Sequence, residues 1–255
     1  MAAPPLRSQV DRAIVLRHVD YQESDRVVTV FTQGHGRLAG LAKGVRRSVK
    51  RFAGHLDLFS EVELTFRPGR GELFHFDQGT LIQAHLGIRN DLLAIAWAGY
   101  LSELTEKLFG EHEPHPDVYT LLSFALHALD APDGAREGPL RALELRLLWE
   151  AGLLPELTVC GLCRQGVDTG LEFRFVASRG TLLCERCSPL EPEVLIPAGA
   201  ISLLGASLEM PLERLPGLQF SAVEARGARV LVGGFVRHHV GRLRTTEFLE
   251  GLEVR

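Results

Sequence analysis

Four cysteines are the residues of this chain whose type and spacing most clearly point to chemistry. They occur as two C-x-x-C pairs separated by 20 residues. Each C-x-x-C turn lets two thiolates converge on one ion from a single tight loop, so two such turns supply the four corners of a tetrahedron. The spacing therefore predicts a metal site whose ligands are Cys160, Cys163, Cys184 and Cys187.

Zinc is the ion that we expect at this site, because it is borderline soft and has no geometric preference that opposes four thiolates. Two disulfides, an iron–sulfur cluster and redox or vestigial thiols are the alternatives for the same pattern. Since four protein ligands leave no open coordination position, one Zn²⁺ with a structural role is predicted. Such an ion can replace a hydrophobic core that a short segment cannot build.

A stretch of basic residues is the second feature that could do chemistry. Residues 37–51 contain six cations and no acid, and the cations are Arg37, Lys43, Arg46, Arg47, Lys50 and Arg51. Cations at this density bind phosphates with release of counterions, so the affinity falls steeply with salt. Gly44 would let the backbone approach a phosphate, and Phe52 would offer a ring for base stacking. We predict nucleic-acid binding here; a solvated loop is the alternative.

The net charge of the chain is compatible with such a site. The formal charge is −4 over 255 residues, but residues 1–80 carry +3 and residues 81–255 carry −7. A local basic field can attract a polyanion even on a net acidic protein. We find no Walker A sequence and no G-x-S-x-G, so neither an ATPase nor a serine hydrolase is indicated, and we expect no enzymatic activity. With no signal-peptide or membrane-spanning apolar run, we expect a cytoplasmic protein.

The pattern along the chain predicts the elements that must position these residues. Five short strands are expected within the first part of the chain, at residues 12–19, 26–32, 37–42, 56–66 and 72–83. Strands of this length and spacing are typical of a small barrel or sandwich. Helices are then expected at residues 90–110, 118–129, 140–151, 197–210, 222–240 and 246–252, with a short hairpin between the cysteine pairs. We therefore predict an α+β protein with domains 1–83 and 84–255, the second carrying the cysteine element 157–190.

Residues 26–48, which read RVVTVFTQGHGRLAGLAKGVRRS, resemble the amino-terminal signature of the bacterial RecO family of recombination mediators. The likeness lies in a strand ending in Phe-Thr, a glycine turn, and a strand ending in Ala-Lys-Gly before basic residues. Tyr100-Leu-Ser-Glu-Leu, the cysteine segment and His239-Val-Gly-Arg-Leu-Arg-Thr follow in the order of the family. The resemblance spans nearly the whole chain. It implies an N-terminal five-stranded OB-fold barrel followed by a mainly helical domain with a zinc-binding element.

The resemblance also implies a function in DNA repair and recombination. Members of the family bind single- and double-stranded DNA without sequence specificity and anneal complementary strands. With RecR they help to load RecA on DNA coated by single-strand DNA-binding protein, which implies association with the nucleoid. On this interpretation the six cations hold phosphates. The competing interpretation is a non-catalytic zinc-containing scaffold whose basic patch binds an acidic protein tail.

Overall fold

The computed structural model describes residues 8–48, 50–52, 55–69, 71–132, 137–168, 170–188 and 195–253. The chain forms two compact units, Met1–Pro132 and Asp133–Arg255. The predicted boundary at residue 83 marks the change from strands to helices, whereas the first compact unit also includes the next two helices. No described helix is long and apolar enough to span a bilayer.

Five strands of the first unit form a closed barrel, which confirms the predicted OB-like architecture. The strands are β1 (Gln9–Tyr21), β2 (Asp25–Thr32), β3 (Gly36–Ala42), β4 (Glu61–Arg67) and β5 (Phe74–Gln83). Their order around the barrel is β1-β2-β3-β5-β4. All neighbours are antiparallel except β3 and β5, and β1 closes the barrel because it pairs with both β2 and β4. Closure removes the exposed strand edges that an open sheet would leave.

The barrel interior is filled by alternate residues of each strand. In β3 every second residue is buried, as a period of two requires when one face is inside. Gly40 lies on this inner face against the ring of Phe76, and a Cβ at Gly40 would come within 2.3 Å of that ring. A glycine at this position therefore makes room for a large aromatic side chain in a narrow core.

The fourth strand begins later than predicted. We expected it at residues 56–66, but β4 starts at Glu61. Leu56 is buried in the barrel core and Phe59 is also buried, yet both lie in turns, and Phe59 has a φ of 67°. Apolar residues in a turn that covers the core give the same sequence signal as the beginning of a strand.

Two helices complete the first unit: α1 (Leu92–Leu108) and α2 (Pro116–Asp130). Helix α1 begins at Asp91, whose carboxylate accepts hydrogen bonds from the N–H groups of Leu93 and Ala94, and not at Asn90 as predicted. Its buried face includes Trp97 and Leu104. Asp130, the last residue of α2, accepts hydrogen bonds from the backbone just beyond β5. This contact ties the end of α2 to the barrel.

Within its described residues, the second unit combines four α-helices with a small sheet. Its elements are α3 (Glu137–Glu150), β6 (Glu172–Val176), β7 (Thr181–Cys184), β8 (Ile196–Pro197), α4 (Ala198–Glu209), α5 (Ala222–His239) and α6 (Arg244–Glu253). The predicted hairpin is β6 and β7, and β8, which we did not predict, pairs with the other edge of β6. Ser221 begins α5 with a capping box that it forms with Glu224. Residues 169, 189 and 190 of the predicted cysteine element lie outside the described residues.

Candidate metal centre and nucleic-acid interface

The four cysteines come together in the second unit. Their sulfurs all lie within 4.8 Å of one another, and the Sγ atoms of Cys163 and Cys184 are 3.6 Å apart. Sulfurs about 2.3 Å from a tetrahedral zinc ion would be about 3.8 Å apart. A disulfide needs about 2.05 Å between sulfurs, and all four cysteines are free. The predicted ligand set is therefore arranged to hold one metal ion.

Backbone hydrogen bonds hold the two C-x-x-C turns in place. The Cys160 N–H donates to the carbonyl of Gln165 at 2.7 Å, which closes the first turn. The Gly161 N–H donates to the carbonyl of Leu182 in β7 at 2.8 Å, which joins that turn to the hairpin. Two local structures distant in sequence are thus fixed side by side, which brings the four sulfurs close together.

The surroundings of the four sulfurs shift the pKa values of the Cys160 and Cys187 thiols in opposite directions. Burial raises the pKa of the Cys160 thiol, but backbone N–H groups, including those of Cys163 and Cys184, outweigh it and lower that pKa to about 6. The hydrogen bond to Cys163, burial and the other nearby sulfurs raise the pKa of Cys187 to about 12. Thiolates this close repel one another, and a divalent cation between them would remove the repulsion.

The predicted basic stretch forms a loop between β3 and β4, here named the basic loop and comprising residues 43–52, of which Val49 lies outside the described residues. Val45 and Phe52 point into the barrel core. The five cations Lys43, Arg46, Arg47, Lys50 and Arg51 are all exposed. Gly44 adopts a φ of 68° at the turn, and its N–H donates to the carboxylate of Asp25 at 2.8 Å. Apolar residues anchor the loop, and its charges face solvent.

The stacking role that we predicted for Phe52 is wrong. Its side chain is fully buried in the barrel core. The Arg51 guanidinium lies 5.5 Å from the centre of the Phe52 ring. Burial of the ring in the apolar core is more favourable in free energy than its exposure on the loop. The sequence pattern did not show that residues of this loop contribute to the core.

Arg37 lies apart from the other five cations. It is near the start of β3, and Lys43 follows the end of that strand, so the two Cα atoms are separated by roughly 20 Å of extended chain. The Arg37 guanidinium lies 3.6 Å from the carboxylate of Glu111, and its carbonyl accepts a hydrogen bond from the His112 N–H. Its contacts are thus with the chain that follows α1.

An acidic turn between β1 and β2 borders the basic loop. Arg46 lies 3.7 Å from the Asp20 carboxylate, and Arg47 lies 3.3 Å from that of Glu23. Exposed ion pairs of this kind contribute about 0.2–1 kcal/mol, so a phosphate can displace them. Among the described residues, neither Lys43 nor Lys50 has a carboxylate within 4 Å. The loop therefore keeps an excess of positive charge.

A groove beside the basic loop contains residues that sequence reasoning missed. Its volume is about 500 Å³, and its lining includes Leu41, Lys43, Arg67, Leu73, Phe74 and His75. Arg67 also pairs with Asp77 at 3.0 Å. Arg67 and His75 lie opposite each other on β4 and β5, and only strand register brings them to Lys43. The isolated basic residues on separate strands offered no sequence signal for this grouping.

Comparison with known proteins gives the same assignment along the whole chain. The family model described as "Recombination protein O N terminal" matches residues 7–85, and "Recombination protein O C terminal" matches residues 89–247. The two matches meet where the barrel ends and the helices begin.

Curated relatives match over more than nine-tenths of this chain and of their own length. The chain is 38% identical over 242 residues to the DNA repair protein RecO of Anaeromyxobacter sp. (strain Fw109-5), covering 93% of each chain. It is 38% identical over 243 residues to that of Myxococcus xanthus (strain DK1622), covering 94% of this chain and 96% of the relative. The RecO protein of Halalkalibacterium halodurans is 30% identical over 243 residues, covering 94% and 93%. With both family models and these relatives matched throughout, the chain belongs to the RecO family.

Proposed function

We propose that this chain acts in DNA repair and recombination by holding DNA backbones, without sequence preference, on the basic loop. The observation that carries the proposal is the exposure of five cations on one loop that buried Val45 and Phe52 anchor to the barrel. Long, flexible cationic side chains reach phosphates, which are the same in every sequence, and do not read base edges. The affinity for DNA should therefore depend strongly on salt and little on sequence.

Strand annealing follows from the same chemistry. Two complementary strands repel each other through their phosphates, and cations that neutralise both lower this repulsion. Base pairing then supplies the driving force, so no nucleotide hydrolysis is needed. The chain would act by binding and not by covalent catalysis. RecR, RecA and single-strand DNA-binding protein are the partners that we propose from the family, with loading of RecA on coated DNA as the outcome.

The ion at the four cysteines is, on our proposal, Zn²⁺ with a structural role. Four thiolates fill a tetrahedral shell, so the ion would cross-link the first C-x-x-C turn to the hairpin that follows it. Elemental analysis of the purified full chain is expected to find zinc, and a Cys160→Ser variant is expected to hold one zinc ion fewer per chain. Iron with acid-labile sulfide in its place would contradict the assignment.

A second candidate function is binding of an acidic protein tail by the same loop. The observation that favours it is the pairing of Arg46 and Arg47 with carboxylates of the adjacent turn. The two functions are compatible, because a carboxylate-rich tail and a phosphate backbone would compete for the same cations. A peptide with the acidic tail of single-strand DNA-binding protein should then displace a labelled oligonucleotide, whereas a peptide of the same length with neutral side chains should not.

Annealing of two labelled complementary oligonucleotides tests the main proposal directly. The full chain is expected to accelerate formation of the duplex at low salt, and a Lys43→Ala, Lys50→Ala variant is expected to accelerate it less. Equal annealing by the variant and the unchanged chain would remove the basic loop from the mechanism. Absence of DNA binding by the unchanged chain in dilute buffer would reject the proposed function as a whole.

A further inference from the structure

A second cluster of metal-ligating side chains lies in the first unit, far along the chain from the cysteines. It consists of Glu61, His85 and His127, here named the Glu61 cluster. The Glu61 Oε1 atom is 3.1 Å from Nε2 of His85 and 3.4 Å from Nδ1 of His127. The three ligand atoms all lie within 4.8 Å of one another. One carboxylate oxygen therefore lies close to a nitrogen of each imidazole.

Three different elements bring these side chains together. Glu61 is the first residue of β4, and the antiparallel register sets it opposite Gln83, the last residue of β5. His85 follows two residues later with a φ of 45°. His127 lies in the last turn of α2. An ion bound by all three would link the barrel to the helix that packs on it.

The cluster is closed on one side and open on the other. The His85 side chain is completely buried, the Glu61 side chain is 6% exposed, and the His127 side chain is 54% exposed. A buried carboxylate must be compensated by hydrogen bonds or by positive charge. The exposed imidazole of His127 gives a path from solvent, so an ion could enter without unfolding of the barrel.

Two further polar groups, Ser123 and Asp130, lie beside the ligands. The hydroxyl of Ser123 donates to Glu61 Oε1 at 2.8 Å. The Nδ1 atom of His85 is buried, has no hydrogen-bond partner among the described residues, and faces Asp130 Oδ2 at 3.8 Å. Metal-bound histidines usually donate their second ring N–H to a carboxylate, and at 3.8 Å Asp130 is the carboxylate nearest to that role although it does not yet accept a hydrogen bond. Asp130 is itself held by the Gly87 N–H at 2.6 Å.

We propose that Glu61, His85 and His127 form a second metal site, which binds one divalent transition-metal ion such as Zn²⁺. Two histidines and one carboxylate are a ligand set that zinc accepts, with water in the fourth position. Ligand atoms about 2.05 Å from a tetrahedral ion lie about 3.3 Å apart, close to the two distances from Glu61 Oε1. The charge of the ion would balance both Glu61 and Asp130.

Binding of the metal ion requires one local change at His127. The Nδ1 atom of His127 also lies 2.9 Å from the Ser123 carbonyl, and coordination would replace that hydrogen bond. Without an ion, Nε2 of His85 can instead share a hydrogen bond with Glu61 Oε1, which lies 3.1 Å away. These two states make opposite predictions for added metal, so experiment can separate them.

Counting bound ions tests the proposal on the full chain. Metal-free protein is titrated with Zn²⁺ alone, in competition with a chromophoric chelator. We expect two ions per unchanged chain and one in a His127→Ala variant, with affinity for the lost ion reduced at least ~100-fold. A His238→Ala variant is the matched control, since it also removes an exposed histidine from the last turn of a helix, and it should keep two ions.

Cobalt distinguishes the two sites in the same samples. Co²⁺ at the cysteines gives intense thiolate-to-cobalt charge transfer, whereas Co²⁺ at the Glu61 cluster adds only weak ligand-field bands. The weak component should be absent in His127→Ala while the charge-transfer band persists. An Asp130→Asn variant should bind the second ion about 10–100-fold more weakly with the cysteine ion unaffected.

Equal stoichiometry and affinity in the unchanged chain and in His127→Ala would overturn the proposal. So would an NMR titration in which added Zn²⁺ leaves the imidazole resonances of His85 and His127 unchanged, because that result shows that neither ring binds the ion. Neither result bears on DNA binding, so this inference and the proposed function can fail separately.

Discussion

Removal of Lys43 and Lys50 is the sharpest test of the basic loop, because these two cations have no carboxylate within 4 Å among the described residues. Their charge is fully available to phosphates, whereas Arg46 and Arg47 must first leave the acidic turn. A Lys43→Ala, Lys50→Ala variant keeps the buried anchors Val45 and Phe52 and should fold normally. It should bind single-stranded DNA more weakly and with a flatter dependence on salt.

The magnitude follows from counterion release. Each phosphate contact on a single strand contributes roughly 0.7 to the slope of log affinity against log salt concentration. If all five exposed cations make contacts, the unchanged chain has a slope of about −3.5, and loss of two contacts changes it to about −2.1. The loss of affinity should be the same for unrelated sequences, since phosphates carry no sequence information.

Fluorescence anisotropy of a labelled single-stranded oligonucleotide over a series of salt concentrations measures this slope. The matched control is an Arg12→Ala, Lys107→Ala variant, which loses the same charge from exposed positions in the first unit but outside the loop. The control should retain the slope of the unchanged chain. Equal slopes for both double variants would mean that net charge, and not the loop, governs binding, and the reasoning would be refuted.

Three further predictions concern the neighbouring turn, the cysteines and the barrel core. Glu23→Gln should tighten DNA binding at low salt by up to about 5-fold, because it releases an arginine of the basic loop from a weak ion pair. Fluorescence anisotropy measures the affinity, and Glu63→Gln, which removes an exposed carboxylate elsewhere, is the control. Cys160→Ser should lose the cysteine-bound ion by elemental analysis and lower the melting temperature, with DNA affinity unchanged. Gly40→Ala should cost roughly 1–3 kcal/mol of unfolding free energy in a urea titration, because its Cβ meets a buried phenylalanine ring.

Each of these predictions has an outcome that contradicts it. If Glu63→Gln tightens binding as much as Glu23→Gln does, the acidic turn has no special role. A Cys160→Ser protein that loses DNA binding while it stays folded would give the metal a larger role than a structural one. Unchanged stability of Gly40→Ala would mean that the ring of Phe76 can move aside without cost.

Local patterns were enough to predict most of the elements. Burial of one face spaces the apolar residues two apart in a strand and about 3.6 apart in a helix, and either spacing can be recognised within a few residues. The helices at 197–210 and 222–240 accordingly match α4 and α5 to within one residue at each end. Strand β8, of only two residues, is too short to show a period.

The candidate sites likewise differ in whether local sequence is enough to predict them. Each cysteine pair is a local motif, so its ligands could be named from spacing alone, and the basic loop is contiguous in sequence. The Glu61 cluster has no such signal: its members are 24 and 42 residues apart and come from β4, the segment after β5 and α2. Only the strand register and the packing of α2 bring them together.

The sequence by itself determined the ligand set at the cysteines, the contiguous run of cations and the order of strands and helices, because each of these depends on neighbours along the chain. The tertiary structure decided that Phe52 belongs to the core, that Arg37 lies at the far end of β3, and that an acidic turn faces the basic loop. The physical reason for these placements is the closure of the barrel. It converts a linear order of residues into a register between distant strands, and the register determines which side chains share an end, a groove or the core.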